Sequence, residues 1–302
     1  MHKRLLAFLL TLLLLPAGAL AQTQRVFMAG ETAPFGADER LLTLYVCPIM
    51  GADSMLLTFE AHSMLVDMGK ENQAEDVLAM LTRAGLDSVE YAFNTHPHND
   101  HVGGMPALTG QIGIGTFMTA FPHDYLGSAI AQRPAIRAVE DADIPIRDVD
   151  DGDTIDFGDV EITVLRQTGY ATDNALSAML RVRYGECTLL LTADVEGKGL
   201  ANMAALHDVK ADIAKFPHHG LTKMDAGFFA ALAPEYVFIT HGSINTEEAQ
   251  AQLRTAGVPF QFATWGPITI TTNGEKWIVD QQIFEDKQAY AERFYQRLQS
   301  SR

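Results

Sequence analysis

Apolar and polar residues alternate between strand-like and helix-like patterns along the chain. Residues 41–69 contain three apolar runs separated by Gly, Asp, Ala and Ser, which predicts three strands joined by turns. Residues 72–84 carry apolar side chains at helical spacing, and Gly85 is typical of the residue just past a helix end. Residues 89–95 predict a strand that leads into a histidine-rich segment. Residues 116–147, which contain three prolines, predict a less regular insertion of helices and loops.

The second half of the chain repeats the order of the first. Residues 151–165 and 175–195 predict two hairpins. Strand and helix patterns then alternate through residues 195–241, and an Asn273-Gly274 turn predicts a last hairpin. Residues 282–298 predict a C-terminal helix.

Each half is thus a run of antiparallel strands followed by alternating strands and helices. We therefore predict one domain of the α/β (α+β) class over residues 22–302, a four-layer αββα sandwich of two mixed sheets. The alternative is two independent α/β domains, which would require a linker that the sequence does not show.

The composition is that of a globular protein, with 47% hydrophobic and 20% charged residues among 302. It argues against a disordered, collagen-like or multi-span membrane protein. The charge is acidic, since 22 Lys+Arg stand against 38 Asp+Glu for a net charge of −16. Such a surface repels polyanions, so an extended nucleic-acid groove is not expected.

Residues 1–21 have the three parts of a secretory signal peptide. Lys3 and Arg4 supply the positive start, an apolar core of about 11 residues follows, and Ala19-Leu20-Ala21 fits a cleavage site. The apolar core is shorter than the ~20 residues of a membrane span. We predict a cleaved leader, no membrane anchor and a periplasmic or secreted protein of net charge about −18; an uncleaved anchor is the alternative.

The two cysteines, Cys47 and Cys187, do not form a disulfide scaffold. An oxidising compartment would permit a bond between them. The sequence leaves open whether they form a disulfide or remain two buried thiols.

Candidate chemistry is concentrated in the segment THPHNDHVGG, placed directly after a predicted strand. His96 and His98 alternate along extended backbone and can face one ion, while Asp100 and His101 follow the bend and can face another. Imidazole and carboxylate ligands suit Zn²⁺, Mn²⁺ or Fe. The alternative is a polar turn whose histidines only cap a helix.

This segment resembles the HxHxDHxGG signature of the metallo-β-lactamase superfamily. LVDMG (65–69), LLLTADV ending at Asp194, and FPHHG (216–220) extend the resemblance over roughly residues 41–275. Their order is most similar to the metallo-β-lactamase-like domain of bacterial competence (DNA-uptake) proteins. The resemblance implies the αββα fold and a site for two divalent metal ions, Zn or Mn.

The resemblance also implies a role for each matching residue. Asp194 would bridge both ions, His218 would be the last histidine of the second site, with His219 as its nearest competitor, and Asp67 would orient a metal ligand. The implied metal ligands are His96, His98, Asp100, His101, Asp194 and His218.

Two features depart from the superfamily pattern. No histidine occurs between positions 123 and 207, where most members have a fifth histidine ligand, so Asp173 or Asn174 would supply an oxygen that favours Mn²⁺ over Zn²⁺. Residues 46–54 replace a tighter Gly-rich turn, which leaves the rim undefined. His241 either contacts substrate or is a loop histidine, and Lys215 either meets an anionic substrate or extends from a strand to solvent.

The sequence thus predicts an exported metal-dependent hydrolase that uses a metal-bridged hydroxide, with Asp100 and Asp194 as catalytic residues. The predicted substrate is a small or short phosphodiester or nucleotide-type compound, and long nucleic acid is not expected as a partner. One alternative is a hydrolase of a small ester, lactone or β-lactam. The other is a non-catalytic exported binding protein. No P-loop and no G-x-S-x-G motif is present.

Overall fold

A computed structural model describes residues 24–122, 132–170 and 172–284. The predicted leader and nearly all of the predicted C-terminal helix lie outside these residues, and Gln282–Phe284 are not helical. The strands in chain order are β1 Val26–Met28, β2 Leu42–Val46, β3 Met55–Phe59, β4 His62–Val66, β5 Ser88–Asn94, β6 Gly113–Thr119, β7 Ile146–Asp148, β8 Thr154–Ile155, β9 Glu161–Leu165, β10 Met179–Tyr184, β11 Cys187–Leu191, β12 Ile213–Lys215, β13 Tyr236–Ile239, β14 Phe260–Phe262, β15 Ile268–Thr272 and β16 Trp277–Gln281.

The helices lie between the later strands of each half. They are α1 Ala74–Arg83, α2 Asn99–Val102, α3 Met105–Leu108, α4 Gln132–Asp141, α5 Lys198–Leu206, α6 Ala226–Leu232 and α7 Glu247–Ala256. No helix in the described ranges is long and apolar enough to cross a bilayer.

The strands form two mixed sheets built on the same plan. The first sheet has the order β1-β16-β15-β2-β3-β4-β5-β6-β7, and the second has the order β14-β13-β12-β11-β10-β9-β8. In the first sheet β2, β3 and β4 pair antiparallel, and β4 to β7 pair parallel. In the second, β8 to β11 pair antiparallel and β11 to β14 pair parallel. The carboxyl ends of the parallel strands therefore lie together at one edge of each sheet.

Three apolar layers hold the sheets and helices together. Phe59, Trp277, Tyr236 and Phe238 belong to the core between the two sheets, and all are fully buried. A second core lies between the first sheet and α1 to α4, and a third lies between the second sheet and α5 to α7. Burial of each large apolar side chain contributes roughly 1.5–3 kcal/mol. The predicted four-layer αββα sandwich is confirmed.

Differences from the predicted elements lie in the connecting regions. The irregular insertion predicted for residues 116–147 was wrong in part, because Gly113–Thr119 form a strand paired on both sides. The sequence analysis also omitted α7, β14 and the short strand β1, which pairs parallel with β16. Short strands at sheet edges carry too few residues for an apolar pattern to stand out.

Gly103 and Gly104, which follow the histidine motif, have ordinary backbone conformations. Their role is to let neighbouring segments pack closely. Gly104 has φ −75°, which any residue can adopt. Its N–H donates to the carbonyl oxygen of Gly69 at 2.8 Å, and a Cβ atom at position 104 would lie 2.1 Å from the carbonyl oxygen of Met68. The loop after β4 and the loop after β5 therefore touch backbone to backbone.

Gly104→Ala should destabilise the fold, because the added methyl group forces these two loops apart. Overpacking of this kind typically costs about 1–3 kcal/mol. Urea denaturation measures the loss. Gly36→Ala is the control, since its methyl group would meet only the side chain of Glu39; equal stability of both variants would contradict the packing argument.

Both cysteines are buried, and neither forms a disulfide in the described part of the chain. Cys47 lies in the core beneath the helices of the first sheet, whereas Cys187 lies in the core between the sheets. Burial raises the pKa of Cys187 to about 12 and that of Cys47 well above its usual value.

A thiol reagent at pH 8 should therefore leave the folded protein unmodified, and it should modify two thiols per chain in denaturant. Low exposure and a raised pKa both suppress the reactive thiolate. The absence of free thiol in denatured, non-reduced protein would show a disulfide and contradict the structure.

Candidate metal centre

The candidate site lies where the parallel strands of the two sheets end. Asp67 follows β4, the segment 96–101 follows β5, Asp194 follows β11, and His218 and His219 follow β12. The carboxyl ends of parallel strands meet at one edge of a sheet, and ligands commonly bind there. The fold thus gathers side chains that are far apart in the chain.

The backbone at these strand ends is strained. Asp67, Ala193, His218 and His219 all have positive φ, between 47° and 56°. They are four of the eight non-glycine residues with positive φ in the described ranges. Such residues cost roughly 1–3 kcal/mol each and are concentrated at functional sites. The left-handed backbone at these positions directs the neighbouring side chains toward a common centre.

Two imidazoles are held with Nε2 facing the same carboxylate oxygen. Nδ1 of His101 donates to Oδ2 of Asp67 at 2.7 Å, and Asp67 also accepts hydrogen bonds from the N–H and hydroxyl of Thr95. Nδ1 of His219 lies 2.9 Å from Oγ1 of Thr240 and 3.1 Å from Oδ1 of Asp53. The Nε2 atoms of His101 and His219 lie 3.2 and 3.3 Å from Oδ2 of Asp194.

These distances match those of ligands to one ion. Ligand atoms about 2.0–2.2 Å from a tetrahedral Zn²⁺ lie about 3.4 Å from each other. Asp100 completes the set, since its Oδ2 lies 3.5 Å from Nε2 of His219. We call His101, His219, Asp194 and Asp100 the second-ion set.

A second, more open group faces the same oxygen, Oδ2, of Asp194. Nε2 of His96 lies 3.8 Å from Oδ2 of Asp194, and Nε2 of His98 lies 3.8 Å from Oδ2 of Asp173. His96 is fully buried, whereas the side chain of His98 is 37% exposed. We call His96, His98, Asp173 and Asp194 the first-ion set. Asp173 is one of the two residues that the sequence predicted as an oxygen ligand in place of the missing fifth histidine.

The structure places both members of the histidine pair near Asp194. The superfamily resemblance implied His218 rather than His219 for the second site, whereas His219 is the residue grouped with His101 and Asp194. His218 lies farther out, with Nε2 3.9 Å from Oδ2 of Asp194 and Nδ1 2.9 Å from Oε2 of Glu196. The sequence alone could not show which of the two histidines faces His101. Both have left-handed backbone, so their side chains do not alternate in direction as in a strand.

Asp53 is a site residue that the sequence analysis missed. It is fully buried and forms a group with His101, Asp194 and His219 whose ligand atoms lie within 4.8 Å of one another. Its contact with His219 is through Nδ1, so Asp53 orients that ring as Asp67 orients His101. One sequence feature could have indicated Asp53: it lies in the turn before β3, within the segment 46–54 that departs from the superfamily pattern.

Lys215 is buried inside the centre, and both predictions for it, contact with an anionic substrate or extension to solvent, were wrong. Its Nζ lies 2.7 Å from Oδ2 of Asp53, 2.7 Å from the carbonyl oxygen of Ala193 and 3.5 Å from Oδ1 of Asp194. Burial lowers the pKa of Lys215, but the two carboxylates outweigh it and raise the pKa. Lys215 thus serves as a fixed cation behind the site.

His241 and Asn174 lie at the margins of the centre. The ring of His241 packs against Gly51, where an added Cβ would lie 3.2 Å from Cδ2, and burial lowers its pKa. Nδ2 of Asn174 lies 3.4 Å from Nε2 of His218 and 3.3 Å from Oε1 of Glu196. Substrate contact by His241 stays a prediction.

The charge state of the centre fits a cation site. Burial raises the pKa of Asp194, but His219, His101 and Lys215 outweigh it and hold that pKa well below its usual range. Burial lowers the pKa of His219, but Asp194 and Asp53 outweigh it and raise the pKa to about 10. In the metal-free protein, protonated imidazole rings balance the negative charge of the carboxylates. When the rings lose their protons, bound metal ions would balance that charge instead.

Unsatisfied polar atoms support the same conclusion. Nε2 of His96, His101 and His219 and Oδ1 of Asp194 are buried without a hydrogen-bond partner among the described residues. Buried polar atoms in folded proteins nearly always have a partner, so such a group calls for a ligand. The chain therefore carries candidate ligands for divalent metals; the ligand role of each predicted residue stays a prediction.

Lys215→Met should strongly destabilise the metal-free protein, because it leaves the carboxylate of Asp53 buried without its cation. Loss of one partner of a buried ion pair typically costs about 3–5 kcal/mol. Urea denaturation in the presence of a chelator measures this loss.

The double variant Lys215→Met/Asp53→Asn provides the control. It should recover part of the loss, since the uncompensated charge is gone. A single variant as stable as the wild type would contradict the buried pair.

Comparisons with known proteins agree with this geometry. A family profile described as "Metallo-beta-lactamase superfamily" matches residues 49–241, more than half of the chain. The competence protein ComA of Neisseria gonorrhoeae is 26% identical over 214 residues, which are 68% of this chain and 28% of that protein. The match thus spans less than a third of that relative.

Solved structures with a similar fold include three from different sources. The metallo-β-lactamase fold protein YhfI from Bacillus subtilis is 13% identical with a TM-score of 0.49, covering 74% of this chain and 96% of its own. The subclass B3 metallo-β-lactamase MEM-A1 from a soil metagenome library is 17% identical with a TM-score of 0.45, covering 85% and 91%. CmlA, a diiron β-hydroxylase from Streptomyces venezuelae, is 13% identical with a TM-score of 0.48, covering 80% and 55%.

The family profile covers the motif 96–101, Asp194 and the histidine pair, the same residues that the fold brings to one edge. This chain belongs to the metallo-β-lactamase superfamily.

Proposed function

We propose that this chain is a metal-dependent hydrolase of the periplasm or the cell exterior, acting on a small phosphodiester or nucleotide-type compound. The observation that carries the proposal is the convergence of three buried Nε2 atoms, from His96, His101 and His219, on one oxygen of Asp194. Members of the superfamily are mostly hydrolases.

Two divalent ions fit the two groups of ligands. The first-ion set would hold one, the second-ion set would hold the other, and Asp194 belongs to both. When bound, such ions polarise the scissile group and make hydroxide available near neutral pH, because coordination lowers the pKa of water from about 15.7 toward ~7. Nitrogen and oxygen ligands suit Zn²⁺ and Mn²⁺ alike.

Asp100 is the residue best placed to handle the attacking water. Its side chain is 30% exposed, so solvent reaches part of it. Burial raises its pKa, but His219 and His101 outweigh burial and hold the pKa well below its usual range. Asp100 therefore stays ionised at neutral pH, so it can accept a hydrogen bond from the water and orient it.

The remaining carboxylates hold the geometry. Asp67 and Asp53 fix the rings of His101 and His219 from the far side, and Lys215 offsets the negative charge behind Asp194. Ligand-orienting groups of this kind typically contribute 10–100-fold to metal affinity or activity. The chemistry thus depends on a buried layer that never touches substrate.

Separate observations support the substrate class and the compartment. The match to a competence protein favours a phosphodiester, and the net charge of −16 favours a short substrate over long duplex DNA. The signal-like leader at residues 1–21 supports export.

Hydrolysis should require both metal and the shared carboxylate. We expect turnover of bis(p-nitrophenyl) phosphate with Mn²⁺ or Zn²⁺, and a loss of more than about 100-fold for Asp194→Asn or His98→Ala, beyond the loss typical of an outer orienting group. A lactone and a chromogenic β-lactam are assayed in parallel. His62→Ala is the matched control, since His62 lies outside the centre and pairs with Glu90.

The outcomes separate the alternatives. Turnover of the lactone or β-lactam alone would replace the substrate class and keep the hydrolase. Full activity in chelator would contradict the metal mechanism. No turnover of any compound by metal-loaded protein would favour the exported binding protein.

A further inference from the structure

We infer that His218 supplies the missing third imidazole of the first-ion set, so that the consecutive histidines 218 and 219 serve different ions. This inference rests on the proposed function, because it requires a centre that holds two ions. It assigns to His218 an ion different from the one that the superfamily resemblance implies.

The position of His218 favours the first ion. Its Nε2 lies 3.9 Å from Oδ2 of Asp194, almost the same as the 3.8 Å from His96 Nε2 to that oxygen. It also lies 3.4 Å from Nδ2 of Asn174, whose neighbour Asp173 faces His98. His218 therefore lies beside Asn174, the neighbour of Asp173, and it is not one of the four residues (Asp53, His101, Asp194 and His219) whose ligand atoms lie within 4.8 Å of one another.

The protonation pattern around His218 is that of a metal ligand. Nδ1 lies 2.9 Å from Oε2 of Glu196, and a carboxylate can only accept, so Nδ1 carries the hydrogen. Nε2 then carries the lone pair, which accepts a hydrogen bond from Nδ2 of Asn174 at 3.4 Å. Carboxylate–histidine pairs of this kind orient metal-ligating rings, and His101 with Asp67 repeats the arrangement.

The strained backbone explains how adjacent residues reach one carboxylate. His218 has φ 47° and ψ 49°, and His219 has φ 53° and ψ 10°. In extended backbone, successive side chains point to opposite sides. Two left-handed residues in a row instead direct both rings toward Asp194, at a cost of roughly 1–2 kcal/mol per residue. A site that used only one histidine would not require the second strained residue.

The sequence supplies the reason for the arrangement. No histidine occurs between positions 123 and 207, so the first-ion set lacks the imidazole that most superfamily members place there. Without His218 this set has two imidazoles and the oxygens of Asp173 and Asp194. With His218 it has three imidazoles, which favours Zn²⁺ more than the oxygen-rich set does.

Metal titration of chelator-treated protein tests the assignment. We use Co²⁺, whose visible absorption reports each ion's ligands, together with calorimetry and elemental analysis. The wild type should bind two ions per chain. His218→Ala should weaken one ion by more than about 100-fold and leave the other unchanged, and Glu196→Gln should weaken that same ion by about 10–100-fold.

Matched controls separate ligation from folding. His62→Ala and Glu90→Gln break a similar pair, with His62 Nδ1 2.7 Å from Glu90 Oε2, outside the centre, and should leave both ions bound. His219→Ala should weaken the other ion and change a different part of the Co²⁺ spectrum. His218→Asp should restore part of the affinity by offering an oxygen. Equal melting temperatures of the metal-free variants show that folding is intact.

Two results would overturn the assignment: two ions in His218→Ala at wild-type affinity with an unchanged Co²⁺ spectrum, or loss of the same ion in His218→Ala and His219→Ala. Two ions in the wild type without hydrolysis of any compound would refute the proposed function and leave the ligand assignment supported. A wild type that binds no ion would refute both.

Discussion

The carboxylate of Asp194 is the group on which the arrangement of the centre depends. It is almost fully buried, and its two oxygens face imidazoles on one side and the ammonium of Lys215 on the other. A carboxylate in such a place is costly unless cations surround it. The cations come from segments that are far apart in sequence, so the site exists only when both sheets have formed.

The same constraint explains the second layer of the site. Asp53 and Asp67 each fix the far nitrogen of one histidine, and Lys215 in turn balances Asp53. Asp53 and Asp67 orient histidine rings, but each also brings a negative charge into the buried centre. Nearby cationic side chains offset that charge. The second-ion set is buried except for Asp100, whereas His98 of the first-ion set and the neighbouring His218 are partly exposed. Solvent therefore reaches the centre from the side of His98 and His218.

Much of this was visible in the sequence because it is local. The motif 96–101 contains metal-ligating residue types at close spacing, which indicates a metal site. Apolar runs precede this motif and Asp194, and they predict that both lie at strand ends. The αββα sandwich follows from the repeated order of antiparallel strands and strand–helix alternation. What could not be predicted depends on contacts between distant segments. Asp53 gains its role only through the packing of the turn before β3 on the loop after β12. The burial of Lys215 depends on charges supplied by two other loops, and the directions of His218 and His219 depend on a strained backbone that no periodicity encodes.

The location of bound ions relative to Asp194 is the most direct test of this account. Crystals of the protein soaked in Mn²⁺ or Zn²⁺, with anomalous scattering recorded at the metal edge, show each ion independently of activity. We expect two peaks, one beside His96 and His98 and the other beside His101 and His219, both within coordination distance of the Asp194 carboxylate. A single peak away from Asp194, or none at full soaking concentration, would contradict it.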